Sequence, residues 1–157
     1  MSRELAPDQL PQRVQELFDG EDLADDFGLA YELATVDDDG WPRVAMLSHG
    51  EILAVDPQRL RFALWTNTHT GKNLTSGRPG LLSVVTPGFV CYIGGHAKTL
   101  SRDDGMDLFE LEVEKVRIDQ HKGLPVVGPI TFTSEDEETS RQILDLWRKQ
   151  VDTMRNV

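Results

Sequence analysis

The spacing of apolar residues along the chain changes twice, dividing it into a leading helix, a run of strands and a closing helix. Leu10, Val14, Leu17 and Phe18 recur at i, i+4, i+7 and i+8, the stripe of one helical face. A helix is therefore predicted over residues 8–19, with Asp8 able to cap its start and Gly20 placed to stop it. Glu21 to Asp26 is too acidic to bury and reads as a surface turn or a single helical turn. From Leu29 the period shortens. Leu29 to Val36 and Trp41 to His49 are strand-like around the turn sequence Asp37-Asp38-Asp39-Gly40, which makes a hairpin.

A second hairpin follows, Ile52 to Val55 and Leu60 to Trp65 around Asp56-Pro57-Gln58. Thr66 to Pro79 is a polar connection with a short helix expected around Lys72 to Ser76. Strand character returns at Leu81 to Thr86, breaks at Pro87-Gly88, and resumes at Phe89 to Leu100. Along Leu108 to Ile118 the apolar phase slips: Phe109, Leu111 and Val113 share one parity, Val116 and Ile118 the other. One extra residue near Glu114-Lys115, a β-bulge, reconciles the two. After the loop from Gln120 to Pro129, Ser134 and Glu137 form a capping-box pattern, and Ile143, Trp147, Val151 and Met154 line one helical face. Six or seven short strands in successive hairpins, with a helix at each end, predict a mainly β protein with flanking helices, built as a small antiparallel barrel. Residues 1–157 read as a single domain, with helix 8–19 and a C-terminal helix over 134–154 packed on a barrel of about 29–118.

Composition narrows the function. The net charge of −11 argues against non-specific nucleic-acid binding and against an anionic membrane surface. No apolar run reaches the ~18 residues of a membrane span, and Met1-Ser2-Arg3-Glu4-Leu5 lacks a signal peptide's apolar stretch. A lone cysteine, Cys91, offers no intrachain disulfide. Together these set a cytoplasmic expectation. The charge is unevenly spread. Residues 41–102 hold seven bases (Arg43, Arg59, Arg61, Lys72, Arg78, Lys98 and Arg102) against Glu51 and Asp56, a net of +5, which leaves −16 for the remainder. A basic centre in an acidic chain is either an anion-binding region or a set of decorated strand faces.

Chemistry-bearing motifs are few. His49, His69, His96 and His121 share no metal-ligand spacing, so no metal site is expected. Gly71-Lys72 is not a phosphate-binding P-loop, because Thr66 stands where the first glycine belongs and Asn73 where a hydroxyl residue should follow the lysine. Three segments of the basic centre remain. Arg43 to Ser48 is a strand with one arginine among apolar or small residues. Phe62 to Leu74 runs from an apolar strand into hydroxyls, an amide and Lys72. In Tyr92 to Leu100, the pair Gly94-Gly95 marks either a bulge or barrel corner, or a place where a flat group approaches the backbone.

In that order, "Leu-Ala-Thr-Val-Asp…Gly-Trp-Pro-Arg-Val", "Trp-Thr-Asn-Thr…Gly-Lys-Asn-Leu" and "Gly-His-Ala-Lys-Thr-Leu", the segments resemble the pyridoxamine 5'-phosphate oxidase-like family of FMN-binding split barrels over roughly Leu29 to Ile118. The resemblance implies a six-stranded split β-barrel and a homodimer with FMN between subunits. It also implies electron transfer with a nicotinamide donor or a small oxidisable substrate. Carried onto this chain, it places Arg43 and Lys72 at the FMN phosphate and the strand Val44, Ala45, Met46, Leu47 alongside the ring. Trp65 and Thr66 become the family's aromatic–threonine pair, and Thr70 adds a hydrogen bond. Tyr92, Phe89 and Trp41 are candidate apolar groups for the wall between subunits.

The departures are equally specific. Gly71 replaces the arginine before the phosphate lysine, Ser48 replaces a lysine, and Val90 falls where a flavin-contacting glutamine is expected. The oxidase's C-terminal substrate signature is absent. These differences point away from pyridoxamine 5'-phosphate as the substrate and name no catalytic residue. Two alternatives stay open: the same barrel holding a deazaflavin or haem, with Lys98 and Arg102 as the spare cations for a polyanionic tail, or a non-catalytic flavin-binding or sensing module.

Overall fold

The computed structural model describes residues 8–103, 105–120, 123, 126–131 and 133–157. His121 and part of the Gln120–Pro129 loop lie outside them. The described chain is mainly antiparallel β: β1 (Leu29–Val36), β2 (Pro42–Ser48), β3 (Ile52–Asp56), β4 (Arg59–Trp65), β5 (Gly80–Thr86), β6 (Phe89–Asp103), β7 (Met106–Asp119) and a two-residue β8 (Ile130–Thr131). Helices α1 (Gln12–Leu17), α2 (His69–Thr75) and α3 (Glu137–Asn156) flank it.

The strands form one sheet in the order β2-β1-β5-β6-β7-β4-β3, with β8 added to β1. Its two edges, β2 and β3, are joined only by a single 3-10 turn, His49–Glu51, and do not pair. The sheet is therefore a barrel left open along one seam, a split barrel, carrying seven principal strands, within the six or seven that the pattern predicts and one more than the resemblance implies. The long β6 and β7 belong to both halves of it.

Both early hairpins form as the alternation predicts. In the first, Thr35 faces Arg43 and Ala34 faces Val44. After Arg61, the segment Phe62 to Leu64 of β4 is apolar without alternation because both faces of the strand are covered there. Phe62 and Leu64 enter the barrel core, while Ala63 packs under α3 with Leu53, Leu108, Trp147, Val151 and Met154. Trp147 lies against Gly50, where a β-carbon would stand 2.0 Å from its ring. The bulge in β7 falls at Glu114: the adjacent residues Gly94 and Gly95 pair with Lys115 and Val113. The extra residue lets Val116 pack on the same core as Phe109, Leu111 and Val113.

Helix boundaries differ from the reading of the sequence. α1 begins only after Pro11, which has no N–H to give and a fixed φ. Asp8 does not cap it. Its backbone N–H instead donates to the Glu114 carbonyl at 3.3 Å, and its carboxylate accepts from the Val116 amide at 2.7 Å. Asp8 thus satisfies backbone groups at the bulge residue and just after it. α2 starts three residues before the expected position because Thr68 caps it, its Oγ1 accepting from the Gly71 amide at 3.1 Å. α3 is capped by Asp136, which accepts from the Thr139 amide at 2.7 Å, so the Ser134–Glu137 capping box does not form. Leu23–Asp26 is the single helical turn.

Candidate functional site

The β1–β2 turn carries three aspartates, and two are held by cations. Arg43 Nε donates to Asp37 Oδ1 at 2.8 Å, and Arg78 donates to Asp38 and to the Val36 carbonyl. Asp37 also accepts from Asn73 Nδ2 at 2.8 Å, and the same amide donates to Thr35 Oγ1 at 3.0 Å. Thr35 and Asn73 are buried. The Arg43 and Asn73 hydrogen bonds pull the Asp37 carboxyl down to about 2. Arg43 is thus fixed beside α2, half-exposed, with its Nη groups making no ion pair among the described residues.

α2 presents two neighbouring stripes, since residues three and four apart share a helical face. His69 and Asn73 face Asp37. Thr68, Lys72 and Thr75 form the next stripe and line a hollow of about 270 Å³ with Asn67, Arg102 and Asp107. Arg102 and Asp107 are opposite each other across β6 and β7, so they project on one face of the sheet. Phe109, two residues on from Asp107, shares that face and lies against Gly71 of α2. Lys72 and Arg102 are exposed and make no ion pair among the described residues. Asp107 is only 8% exposed, and its Oδ1 has no hydrogen-bond partner among them.

On the outer face of the sheet, Val44, Ala34, Leu81 and Gly94 form one cross-strand row. The row is apolar and largely uncovered, with Val44 and Leu81 exposed. Ala34, Leu81 and Gly94 line a second hollow of about 470 Å³ with Val36, Pro42 and His96. His96 Nδ1 lies 2.9 Å from Glu114 Oε1.

The residues singled out from the sequence separate into three groups. Val44 and Met46 are exposed on the edge strand β2, with Ala45 partly buried and Leu47 in the core. Trp65 is exposed at the end of β4, and the Thr66 amide donates to the Gly105 carbonyl. Thr70 and Gly71 are buried against the barrel, whereas Lys72 opens to the hollow that Arg43 does not line. Among the candidate wall residues, Trp41 is exposed and Tyr92 half-buried under Arg117, but Phe89 is buried under Arg13. Of the two spare cations, Lys98 is taken by Glu110 at 3.3 Å, and Arg102 is not. Asp37, Asn73 and Asp107 were not singled out. The acidic turn and the Asn after Lys72 were visible, but nothing in their spacing joins them.

No family model matches the chain. It is 27% identical over 150 residues to the uncharacterised protein YclD of Bacillus subtilis, covering 93% of this chain and 96% of that one. Among solved structures it resembles a candidate pyridoxamine 5'-phosphate oxidase of Lactobacillus delbrueckii, with a TM-score of 0.55 and 22% identity over 72% of this chain and 97% of that one. It also resembles an F420 reductase, with a TM-score of 0.53 and 18% identity over 69% and 98%. A third likeness is to a heme binding protein from Mycobacterium smegmatis, with a TM-score of 0.51 and 15% identity over 79% and 59%. The chain therefore has the pyridoxamine 5'-phosphate oxidase-like split-barrel fold.

Proposed function

We propose that this protein is an FMN-binding, oxidoreductase-like split barrel that works as a homodimer, with a substrate other than pyridoxamine 5'-phosphate. The observation that carries the reading is the position of Lys72. It stands exposed and without an ion pair among the described residues at a hollow on α2, and α2 also packs near the edge strand β2, whose outer side chains are the uncovered Val44 and Met46. A phosphate dianion needs cations that no carboxylate already neutralises, and a flavin ring needs an apolar surface with backbone groups to spare. An edge strand has one row of unpaired N–H and C=O groups, so β2 supplies both surface and donors. Arg43 is the second cation of this reading: Asp37 takes its Nε and offsets part of its charge, leaving its Nη groups for the phosphate, although Arg43 does not itself line the Lys72 hollow.

When bound, FMN would supply the electron transfer, and the protein position and charge. The outer row Val44–Ala34–Leu81–Gly94 is the face that a second copy would cover. A barrel whose interior is filled by its own core (Leu33, Phe62, Phe109 and Leu111 are all fully buried) has no internal room for a ring. The absorption spectrum of the freshly purified protein, with the released cofactor identified by mass and NADH or NADPH added, tests this reading. Flavin bands, the mass of FMN and reduction with turnover are expected. Bound flavin without turnover makes the protein a sensing module, and a protein that neither carries nor takes up flavin overturns the proposal.

A haem site is the second reading, favoured by His96. Its Nδ1 is oriented by Glu114, the arrangement that fixes an imidazole for metal ligation through Nε2, and it borders the apolar hollow of 470 Å³. A Soret band in the same spectrum would select it. A deazaflavin with a polyanionic tail finds less support, because Glu110 already holds Lys98.

A further inference from the structure

The bulge in β7 does more than reset the core phase. In a regular strand successive side chains point to opposite faces, yet Glu114 and Lys115 both border the hollow of about 470 Å³ on the outer face of the sheet. The extra residue at Glu114 brings both of them there, and bulges re-aim side chains in this way beside functional sites. Glu114 reaches His96, its carboxylate oxygens 2.9 and 3.0 Å from Nδ1. With Nδ1–H donating to that carboxylate, Nε2 is left as an acceptor. Lys115 is exposed and makes no ion pair among the described residues. These polar groups all come from β6 and β7. The opposite wall is apolar, built from Ala34, Val36, Pro42, Pro79 and Leu81, and Gly94 at the floor has no side chain to fill the space.

We propose that this hollow binds a small planar aromatic acid. Its ring lies on Gly94 and the apolar wall, its carboxylate meets Lys115, and a hydroxyl on the ring donates to His96 Nε2. The FMN contacts of Arg43, Lys72 and β2 use none of His96, Glu114 and Lys115, so this site is separate from the cofactor's. Charge selects an anion: His96 already engages Glu114, and Lys115 is the cation at this rim without a partner among the described residues. Shape selects a plane, because a glycine in a strand lets a flat group approach the backbone. The volume is that of a small-molecule pocket with a few convergent polar groups. Haem is a poorer occupant, since its two propionates would meet one such cation.

Calorimetric titration of 4-hydroxybenzoate, benzoate and 4-hydroxybenzamide into the purified full chain and its variants tests the site. Lys115→Ala should weaken both acids about fivefold and leave the uncharged amide unchanged. His96→Ala should weaken 4-hydroxybenzoate and the amide about fivefold and leave benzoate, which has no hydroxyl, unchanged. Gly94→Val, which puts a branched side chain on the floor, should abolish binding of all three. A wild type that takes up no 4-hydroxybenzoate at millimolar concentration overturns the proposal, as does equal affinity for it in wild type and Lys115→Ala. Three other occupants would also overturn it. Weaker FMN binding by Lys115→Ala marks the rim as part of the cofactor site, and a Soret band lost in His96→Ala marks a haem pocket. A dimer that 4-hydroxybenzoate dissociates marks the seat of a second copy. A wild type that binds the acid but no flavin removes the FMN reading and leaves this site standing. Lys115 and His96 are exposed, so their variants keep the test decisive even where Gly94→Val fails to fold.

Discussion

A β-carbon on Gly95 would lie 1.9 Å from the carbonyl oxygen of Glu112, so the backbones of β6 and β7 meet there without a side chain between them. The contact sits at the Glu114 bulge, where the core phase of β7 is reset. Backbone cannot move aside as a flexible side chain can. Gly95→Ala should therefore destabilise the fold by about 3 kcal/mol, lowering the urea midpoint by about 1–3 M. Gly94→Ala, whose β-carbon would meet Leu81 Cδ1 at 3.4 Å and the Gly80 carbonyl oxygen at 3.7 Å, both ordinary contacts, should keep the wild-type midpoint within about 0.5 M. Equal midpoints for the two variants would contradict the close approach.

Arg61 and Glu110 form a buried ion pair at 2.9 Å, and Arg61 Nη1 also donates to the backbone oxygens of Met154 and Val157. One guanidinium thus ties α3 to β4 and β7. Arg61→Met leaves Glu110 a buried carboxylate with its closest partner gone, which should cost about 3–5 kcal/mol. The double variant Arg61→Met, Glu110→Met should recover most of that loss, as measured by chemical denaturation. A single variant as stable as wild type would remove the pair from the account of how α3 docks.

His49 is buried at the seam, with Nδ1 3.0 Å from the Tyr31 hydroxyl and Asp26 3.8 Å from Nε2. Burial holds its imidazole below the ordinary 6.5, with Asp26 and Asp19 offsetting only part of that. The unfolded chain then binds a proton that the folded chain resists. Stability should fall as pH drops below about 6.5, by up to about 1.4 kcal/mol per unit. His49→Gln should flatten this part of the curve, with the steeper acid losses from Asp37 and Glu110 appearing only at lower pH, because both carboxyls are held below their ordinary values. An unchanged slope between pH 6.5 and 5 in His49→Gln would refute the assignment.

Lys72→Ala should weaken FMN by about 10- to 150-fold, the range of a hydrogen bond to a charged group, and leave riboflavin nearly unaffected. Arg43→Ala should weaken FMN similarly and also lower stability, because it removes the cationic partner of Asp37 and leaves only the Asn73 amide. Equal FMN affinity for wild type and Lys72→Ala would return Lys72 to the role of a solvated surface lysine.

If a second copy covers the outer face, the protein should sediment as a dimer at micromolar concentration. Val44→Asp, a charge on an exposed position of the edge strand, should shift it to monomer without lowering the monomer's thermal stability. A wild-type monomer with cofactor bound would exclude the covered face.

What the sequence determined by itself was the part written in local periods. Alternation of two placed both early hairpins, and the slip after Val113 located the bulge near Glu114-Lys115, where the structure sets it at Glu114. The stripe Ile143, Trp147, Val151, Met154 identified the buried face of α3. Local signals misled where a neighbour in space claimed the group first. Asp8 serves the β7 bulge rather than α1, and Asp136 caps α3 ahead of Ser134. β8 is two residues long and has no period to read.

Tertiary structure alone decided the site. Arg43, Asp37 and Asn73 meet because the β1–β2 register sets the first two side by side and α2 packs against that turn. Lys72, Arg102 and Asp107 meet because β6 and β7 run back past α2 and turn beside it. The same packing takes Lys98 out of the set of spare cations and buries Thr70 and Phe89. Which charges are neutralised and which are left open depends on strand order and register, and those are settled by burying the whole core at once rather than by any one segment's pattern.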